Sequence, residues 1–368
     1  MEDVIENFRY VLVEAVKQQA SDIHMCVGTV WKYRINGNIV PLDMKPLEMG
    51  ECEVIVKHIL SNLRGDFYSI DDIDTAAKKL KDLDCTYSMP NVSRFRVNIC
   101  RQRGTFSVVL RVIPFNVPTI ESLGLPEVIN DIALEQRGLI LVTGVTGSGK
   151  STTLAAMINK INETKPCKIV AIEDPIEYLH NEKNASIIQR EIGSDTDSYS
   201  IALRASVRQD PDIILLGEMR DIASVETALN AAETGRLVMS TLHTVDAPKT
   251  IQRIISSFDM REQMAIRVRL AESLQAVISQ RLIPRIDKTG RIAVVEIMKN
   301  TLSIKDCIEN PDKTSHIKEL MSSGKDQYKM QTFDQHLSEL YEQGIVDLET
   351  AKAAATSASD FERNVTFT

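Results

Sequence analysis

The feature that most constrains this chain is the stretch 139–154, LILVTGVTGSGKSTTL. Leu139, Ile140, Leu141 and Val142 form a short apolar run with the length of a buried strand. A loop follows from Gly144 to Lys150, and Ser151, Thr152 and Thr153 open a segment compatible with a helix to about Asn162. Gly144, Gly149, Lys150 and Ser151 satisfy the G-x-x-x-x-G-K-[ST] pattern, here in its strand–loop–helix context. Glycines let the backbone wrap phosphates and turn successive N–H groups inward. The expected cradle comprises Gly144, Thr146, Gly147, Ser148, Gly149, Lys150, Ser151 and Thr152. Lys150 would reach the β- and γ-phosphates of a bound nucleotide, and the Ser151 hydroxyl would hold Mg²⁺.

Such a loop needs a parallel sheet around it, and the rest of the chain supplies candidates. Three further apolar runs, KIVAI at 168–172, IILL at 213–216 and LVMS at 237–240, are separated by helical patterns. Strands alternating with helices imply right-handed crossovers and a mainly parallel sheet. GRIAVVEI at 290–297 adds another strand. Between them, Met264, Val268, Ala271, Leu274 or Gln275, Ile278 and Leu282 recur at helical spacing and predict one long helix over 264–282. From about Ser303 the chain reads as helical, with a fraying polar tail over 357–368.

The first third has a different texture. Ile5, Phe8, Leu12 and Val16 predict an amphipathic helix. Trp31, Tyr33 and Ile35 alternate before Asn36-Gly37, a hairpin turn signal. A helical block spans about 51–63, and the charged stretch 71–84 reads as a solvated helix or loop. Phe95, Val97 and Ile99 alternate with Arg94, Arg96 and Asn98. The return strand, after a turn near Arg103-Gly104, carries Phe106, Val108, Leu110 and Val112 on one face. The proline-bracketed PFNVP, 114–118, is too stiff and donor-poor to continue a sheet. The expected organisation is an α+β domain over 1–113, a linker over 114–119, an α/β nucleotide-binding core over 120–300, helices around 120–133 included, and a helical region over 301–368.

Composition excludes some readings. The 368 residues carry a net charge of −8, which argues against a protein that coats polyanions, and no stable nucleic-acid binding is expected. The six cysteines are scattered and form no C-x-x-C pair, so zinc ribbons lack support and reduced thiols in a cytosol are the simplest reading. The N-terminus is acidic rather than a signal peptide, and no apolar run is long enough to cross a bilayer. One segment departs from the acidic balance: 249–291 holds nine basic and four acidic residues, a local +5 that reads equally as a contact patch or a solvated surface.

Ligands in open α/β sheets bind beyond the carboxyl ends of the strands. There the runs deliver Glu173, Asp174 and Glu177, then Glu218, then His243. Glu218 is the candidate that positions or activates the attacking water. Glu173, with Asp174 and Glu177, would steer Mg²⁺ or its water shell. His243 would contact the γ-phosphate or a carboxylate. Asp212 precedes its strand, about 13 Å from the chemistry by strand rise, and reads as a cap or turn residue. Arg94, Arg96 and Arg111 sit on polar strand faces, where a solvated salt bridge is the ordinary explanation for any one of them.

These residues resemble a family. Ala20-Ser21-Asp22-Ile23-His24 is similar to the ASDLH box of the secretion-type ATPases, and Arg94-Phe95-Arg96-Val97-Asn98 to their RFRVN strand. GVTGSGKST resembles their Walker A, IEDPIEY the Asp box, DPDIILLGEMRD the Walker B and STLHT the His box. Met330-Gln331-Thr332-Phe333-Asp334 fits a C-terminal MQTxD signature of the type IV pilus retraction ATPases, the PilT/PilU group. The resemblance implies a PAS-like first domain, a RecA-like P-loop domain and a C-terminal helical subdomain. It implies a homohexamer in which Glu218 is the catalytic glutamate, while Arg96 and Arg111 reach a neighbour's nucleotide. Its motor would turn an inner-membrane platform protein of the PilC kind, placing the chain in the cytoplasm at the inner membrane, with a paralogous retraction ATPase as a further partner.

Some motifs depart from the family. AIRNLI appears as Ser303-Ile304-Lys305-Asp306-Cys307-Ile308, with Lys305 in the arginine position. The MQTFDQ stretch is closer to the PilU branch, whereas ASDIH keeps the histidine of PilT. The tetracysteine motif and longer N-terminal region of assembly ATPases are missing, which weighs against pilus extension. An independent retraction motor, an accessory one, and a related secretion or DNA-uptake motor all remain compatible. A nucleotide-gated assembly module is disfavoured by the intact Lys150, Ser151, Glu218 and His243.

Overall fold

A computed structural model describes residues 2–35, 37–63, 70–113, 116–219 and 221–366. Asn36 of the expected turn and Pro114 at the start of the expected linker lie outside them. The chain divides into two compact units, Met1–Asn116 with Glu177–Leu179, and Val117–Ile176 with His180–Thr368.

The first unit begins with α1 (Glu2–Lys17), which buries Phe8, Val11, Leu12 and Ala15 on one stripe. Strands β1 (Asp22–Cys26), β2 (Lys32–Ile35) and β3 (Asn38–Pro41) precede α2 (Met49–Ser61), α3 (Ile70–Lys79) and β4 (Asp82–Met89). The hairpin of β5 (Ser93–Gln102) and β6 (Thr105–Ile113) turns at Arg103 and Gly104, both at positive φ (51° and 82°), as a tight turn between twisted strands requires. Among the described residues these strands form an antiparallel sheet of order β3-β2-β1-β6-β5-β4. Phe95, Val97, Ile99, Phe106, Val108 and Leu110 face its core, while Arg96 and Arg111 do not. The Tyr33 hydroxyl donates to the Val11 carbonyl at 2.6 Å, so α1 is fastened to β2 as well as packed on it. The stretch 71–84 differs from its sequence reading, since its end opens β4. An exposed, alternately charged edge strand carries no apolar run to betray it.

The second unit starts with α4 (Val128–Ala133), shorter than the helices expected over 120–133, followed by β7 (Gly138–Thr143) and α5 (Lys150–Thr164). Next come β8 (Lys168–Glu173), β9 (Ser186–Glu191), α6 (Tyr199–Ser206), β10 (Ile213–Leu216), α7 (Ile222–Glu233), β11 (Leu237–Leu242), α8 (Ala247–Ser256) and α9 (Gln263–Ser273). The sheet closes with β12 (Leu274–Pro284) and β13 (Arg291–Lys299). Its order is β13-β12-β7-β11-β10-β8-β9, with every neighbouring pair parallel except β12–β13. All six residues of β7 are buried, and each large apolar side chain there is worth roughly 1.5–3 kcal/mol.

The single helix expected over 264–282 is a correction. The chain leaves α9 at Ser273 and becomes β12, which pairs with β7 on one side and β13 on the other. Ala276, Val277, Ile278, Ser279 and Gln280 are buried together, which one face of a surface helix does not allow. β9, a half-exposed strand with the polar sequence SIIQRE, was likewise absent from the sequence reading.

The C-terminal region is helical: α10 (Leu302–Glu309), a short 3-10 turn, α11 (Ile317–Ser323), α12 (Lys325–Tyr328), α13 (Phe333–Glu342), α14 (Leu348–Ala354) and α15 (Ala358–Thr366). The tail expected to fray thus carries a helix. The MQTFD segment closes the open edge of β13. Gln331 exchanges backbone bonds with Ile297 at 2.9 and 3.1 Å, and its side chain donates to the Val295 carbonyl at 2.9 Å. The Val295 amide donates to His336 Nδ1 at 3.0 Å. Burial holds His336 neutral, its pKa lowered to about 4, which keeps Nδ1 free to accept. Three arginines of the basic stretch 249–291 are engaged within the unit. Arg269 pairs with Glu233, Arg267 donates to the Ile308 carbonyl, and Arg281 stacks 3.9 Å over the Phe333 ring.

Candidate nucleotide site

Three consecutive strands, β7, β11 and β10, end side by side, and each delivers a functional segment. From β7 comes the phosphate loop. Gly144, Gly147 and Gly149 take φ of +146°, +78° and +91°, conformations that side chains strain to adopt. At Gly144 there is no room for a side chain either: a Cβ would stand 2.5 Å from the Gln280 carbonyl and 2.5 Å from Ser148 Oγ. Gly149 caps α5 without a side-chain hydrogen bond, so the helix starts directly at the loop. Ser148 Oγ is buried with no hydrogen-bond partner among the described residues. Lys150 is 8% exposed and its ammonium donates to the carbonyls of Gly144 and Val145 at 3.0 and 3.2 Å, held above the loop it closes. An orphaned buried hydroxyl, a helix start at the loop and a glycine with no room for a side chain fit a polyphosphate. The same loop presents Ser151 at the second position of α5, where its hydroxyl could serve a hard cation bound to those phosphates.

From β10 comes Glu218 and from β11 His243, and the two meet: Nε2 lies 3.3 Å from Oε1. Parallel pairing makes that contact. Leu216 is level with Ser240, the Thr241 hydroxyl donates to the Gly217 carbonyl at 2.7 Å, and the Met219 amide donates to the Thr241 carbonyl at 3.2 Å. Tyr199 crowds Gly217, where a Cβ would stand 2.9 Å from its hydroxyl. Two acids of DPDIILLGEMRD are scaffolding: Asp212 accepts the Lys168 amide at 2.8 Å, and Asp221 caps α7 through the Ser224 amide at 2.7 Å.

Glu173 ends β8, three strands from β7 across β11 and β10, about 14 Å at ordinary sheet spacing. Its carboxylate accepts from Gln189 of β9 at 3.1 Å, on the side away from the phosphate loop. Arg96 and Arg111 belong to the first unit and stand directly opposite each other on β5 and β6. Asp22 of the ASDIH segment, 7% exposed, accepts from Arg111 Nε at 3.0 Å and lies 3.7 Å from Arg34 Nε. Arg94, by contrast, donates to Thr86 at 3.1 Å.

Sequence reasoning missed the contribution of β12. The Thr143 hydroxyl donates to Ser279 at 2.9 Å, and Gln280 Nε2 donates to Thr153 at 2.9 Å, so this strand braces both sides of the loop. Two polar residues, Ser279 and Gln280, inside a long apolar run are the signal that could have revealed it.

A family model described as type II/IV secretion system protein matches residues 1–365. The chain belongs to that family. Within it the chain falls in the PilT/PilU group. It is 41% identical to the type IV pilus retraction ATPase PilT of Pseudomonas aeruginosa, covering 95% of this chain and 98% of that one. It is 37% identical to the type IV pilus ATPase PilU of the same organism, covering 96% and 90%. A crystal structure of the pilus retraction motor PilT with bound ADP superposes with a TM-score of 0.85 at 39% identity, covering 96% of this chain and 98% of the other. As in the sequence reading of this PilT/PilU-group chain, the fold is mixed α/β, with an N-terminal domain, a P-loop sheet and C-terminal helices. Among its described residues no helix is long and apolar enough to cross a membrane.

Proposed function

We propose that this chain is an ATP-hydrolysing motor that powers type IV pilus retraction, working as a homohexamer at a pilus platform protein on the cytoplasmic face of the inner membrane. The observation that carries hydrolysis is the Glu218–His243 contact at the ends of the two strands that follow the phosphate-loop strand in the sheet. Retraction, rather than another use of ATP, rests on the match to PilT along nearly the whole of both chains.

In this reading the phosphate loop and Lys150 orient the γ-phosphate. The Glu218 carboxylate takes a proton from water as the water oxygen bonds to the γ-phosphorus, and the bond from that phosphorus to the β–γ bridging oxygen breaks. His243 holds the Glu218 carboxylate in line and senses the phosphate. Mg²⁺, held through Ser151, would neutralise charge on the phosphate oxygens. Glu173, farther along the sheet edge, would act on that ion's water shell rather than as a direct ligand beside Ser151.

Arg96 and Arg111 complete a neighbour's site. Their opposed placement costs like-charge repulsion across the strand pair, which Asp22 offsets on one side. Arg96→Ala is expected to lower kcat by roughly 100-fold or more in the assembled ring. Mixing Arg96→Ala chains with Glu218→Gln chains should recover part of it, because some interfaces then combine an intact Glu218 with an intact Arg96. Full turnover by Arg96→Ala alone would remove the trans role.

The biological reading is tested by deleting the gene and counting surface fibres. Excess, static pili without twitching support a retraction motor. Loss of pili would mean extension, and unchanged pili with normal twitching would overturn the pilus role. An accessory motor of the PilU kind is favoured by one feature, Lys305 at the third position of α10's SIKDCI segment; it would give a partial twitching defect.

A further inference from the structure

β13 reads RIAVVEIMK, and its one acid, Glu296, is 2% exposed among apolar neighbours. Burying a carboxyl there requires a partner. The partner is a backbone group: the Ala247 amide donates to Glu296 Oε1 at 2.9 Å. Ala247 is the first residue of α8, and the segment before it, residues 243–246, runs from His243 to the α8 cap Asp246. Apart from the contact of His243 with Glu218, the other bonds described within that segment close back on α8 itself. Asp246 accepts the Lys249 amide at 2.8 Å, Thr250 donates to the Asp246 carbonyl at 2.8 Å, and the hydroxyls of Thr244 and Thr250 are 2.6 Å apart. They shape the helix start without anchoring it to the sheet. Glu296 supplies that anchor.

The strand bearing Glu296 is itself gripped from outside. Its flanking residues Val295 and Ile297 have their outward amides and carbonyls taken up by Gln331 and His336. A continuous series of bonds therefore runs from the C-terminal segment through β13 to the start of α8, and from there over four residues to His243 on Glu218.

We propose that Glu296 is a positioning residue for hydrolysis: by holding the Ala247 amide it fixes the start of α8 against β13 and so keeps His243 on Glu218. The inference rests on the reading of Glu218 and His243 as the hydrolytic pair. Burial raises the Glu296 carboxyl to about 7, with Asp246 adding to the shift, while the Ala247 amide, Lys318 and Arg281 oppose it. A neutral carboxyl still accepts through Oε1, so the anchor holds on both sides of that value. What matters is the reach of the acceptor oxygen.

The test is steady-state ATPase kinetics on the full chain carrying Glu296→Gln, Glu296→Asp, Glu296→Ala, His243→Ala, and Glu296→Ala with His243→Ala. Glu296→Gln keeps the acceptor and should stay within about twofold of the parent. Glu296→Asp withdraws it by one methylene, and Glu296→Ala removes it. Both should lower kcat by roughly tenfold with KM for ATP changed less than about twofold, since the phosphate loop is untouched. In the His243→Ala background the Glu296→Ala loss should disappear, because it acts through the histidine. Unchanged kcat in Glu296→Asp and Glu296→Ala, an equal loss in Glu296→Gln, or losses that multiply in the double variant would overturn the proposal. Should Glu296→Ala not fold, the Gln and Asp variants decide it. If His243→Ala and Glu218→Gln both turn over normally, the hydrolytic pair itself is wrong; if they fail while the Glu296 variants do not, only Glu296's role falls.

Discussion

Glu218→Gln is expected to abolish measurable turnover while leaving nucleotide bound. The substitution keeps the shape of the side chain and a carbonyl oxygen that can still face His243 Nε2, 3.3 Å away in the parent. It removes the atom able to accept a proton from water. General-base catalysis is worth roughly 100- to 10,000-fold, so phosphate release should fall by at least 100-fold. The phosphate loop lies on a different strand, and its bonds from Lys150 to the Gly144 and Val145 carbonyls do not involve Glu218. Affinity for a fluorescent ATP analogue should therefore stay within about threefold of the parent, a change under ~1 kcal/mol. A variant that releases phosphate at near-parental rate would show that the water is activated elsewhere.

Gly144→Ala should damage binding itself. Its φ of +146° lies where L-residues are strained, and the added methyl would meet a backbone carbonyl, that of Gln280, at 2.5 Å. The carbonyl belongs to β12, which pairs along β7, so neither strand can retreat without breaking ladder bonds. The combined cost of backbone strain and overpacking is about 2–4 kcal/mol. Melting should report it as a lower transition temperature, and the ATP analogue should bind at least tenfold more weakly. Gly147→Ala is the matched comparison. It also has a positive φ, +78°, but open space where the methyl would go, so its penalty should be only about 1–2 kcal/mol. Equal effects from the two would show that backbone strain alone, not the contact with Gln280, sets the glycine requirement at 144.

The phosphate loop was legible because its requirements are local: a strand, glycines that permit unusual φ, a lysine and a helix start, all within sixteen residues. Glu218 and His243 could be paired from sequence because each follows a buried apolar run, and parallel strands bring such followers to one edge. Glu173 shows the limit of that argument. Sharing an edge fixes direction but not distance, and strand order, which puts β11 and β10 between β7 and β8, is not written in any single run. β12 was hidden because Val268, Ala271 and Ile278 satisfy a helical spacing across what is in fact a helix–strand junction. Glu296 sat in plain view in GRIAVVEI, but its partner is a backbone amide about fifty residues upstream that composition cannot reveal.

The clamp on β13 also bears on how relatives of this chain can be recombined. A chimera joined at residue 300 would look natural on a domain diagram, since the sheet ends at Lys299 and helices follow. Yet the outward groups of Val295 and Ile297 are satisfied only when Gln331 and His336 arrive from the far side of that junction. A foreign C-terminal region lacking a glutamine and a neutral histidine in register would leave an open strand edge, the surface on which sheets pair with other chains and aggregate. The exchangeable unit therefore runs through β13 and the segment 330–336 together, and a crossover is better placed after α13.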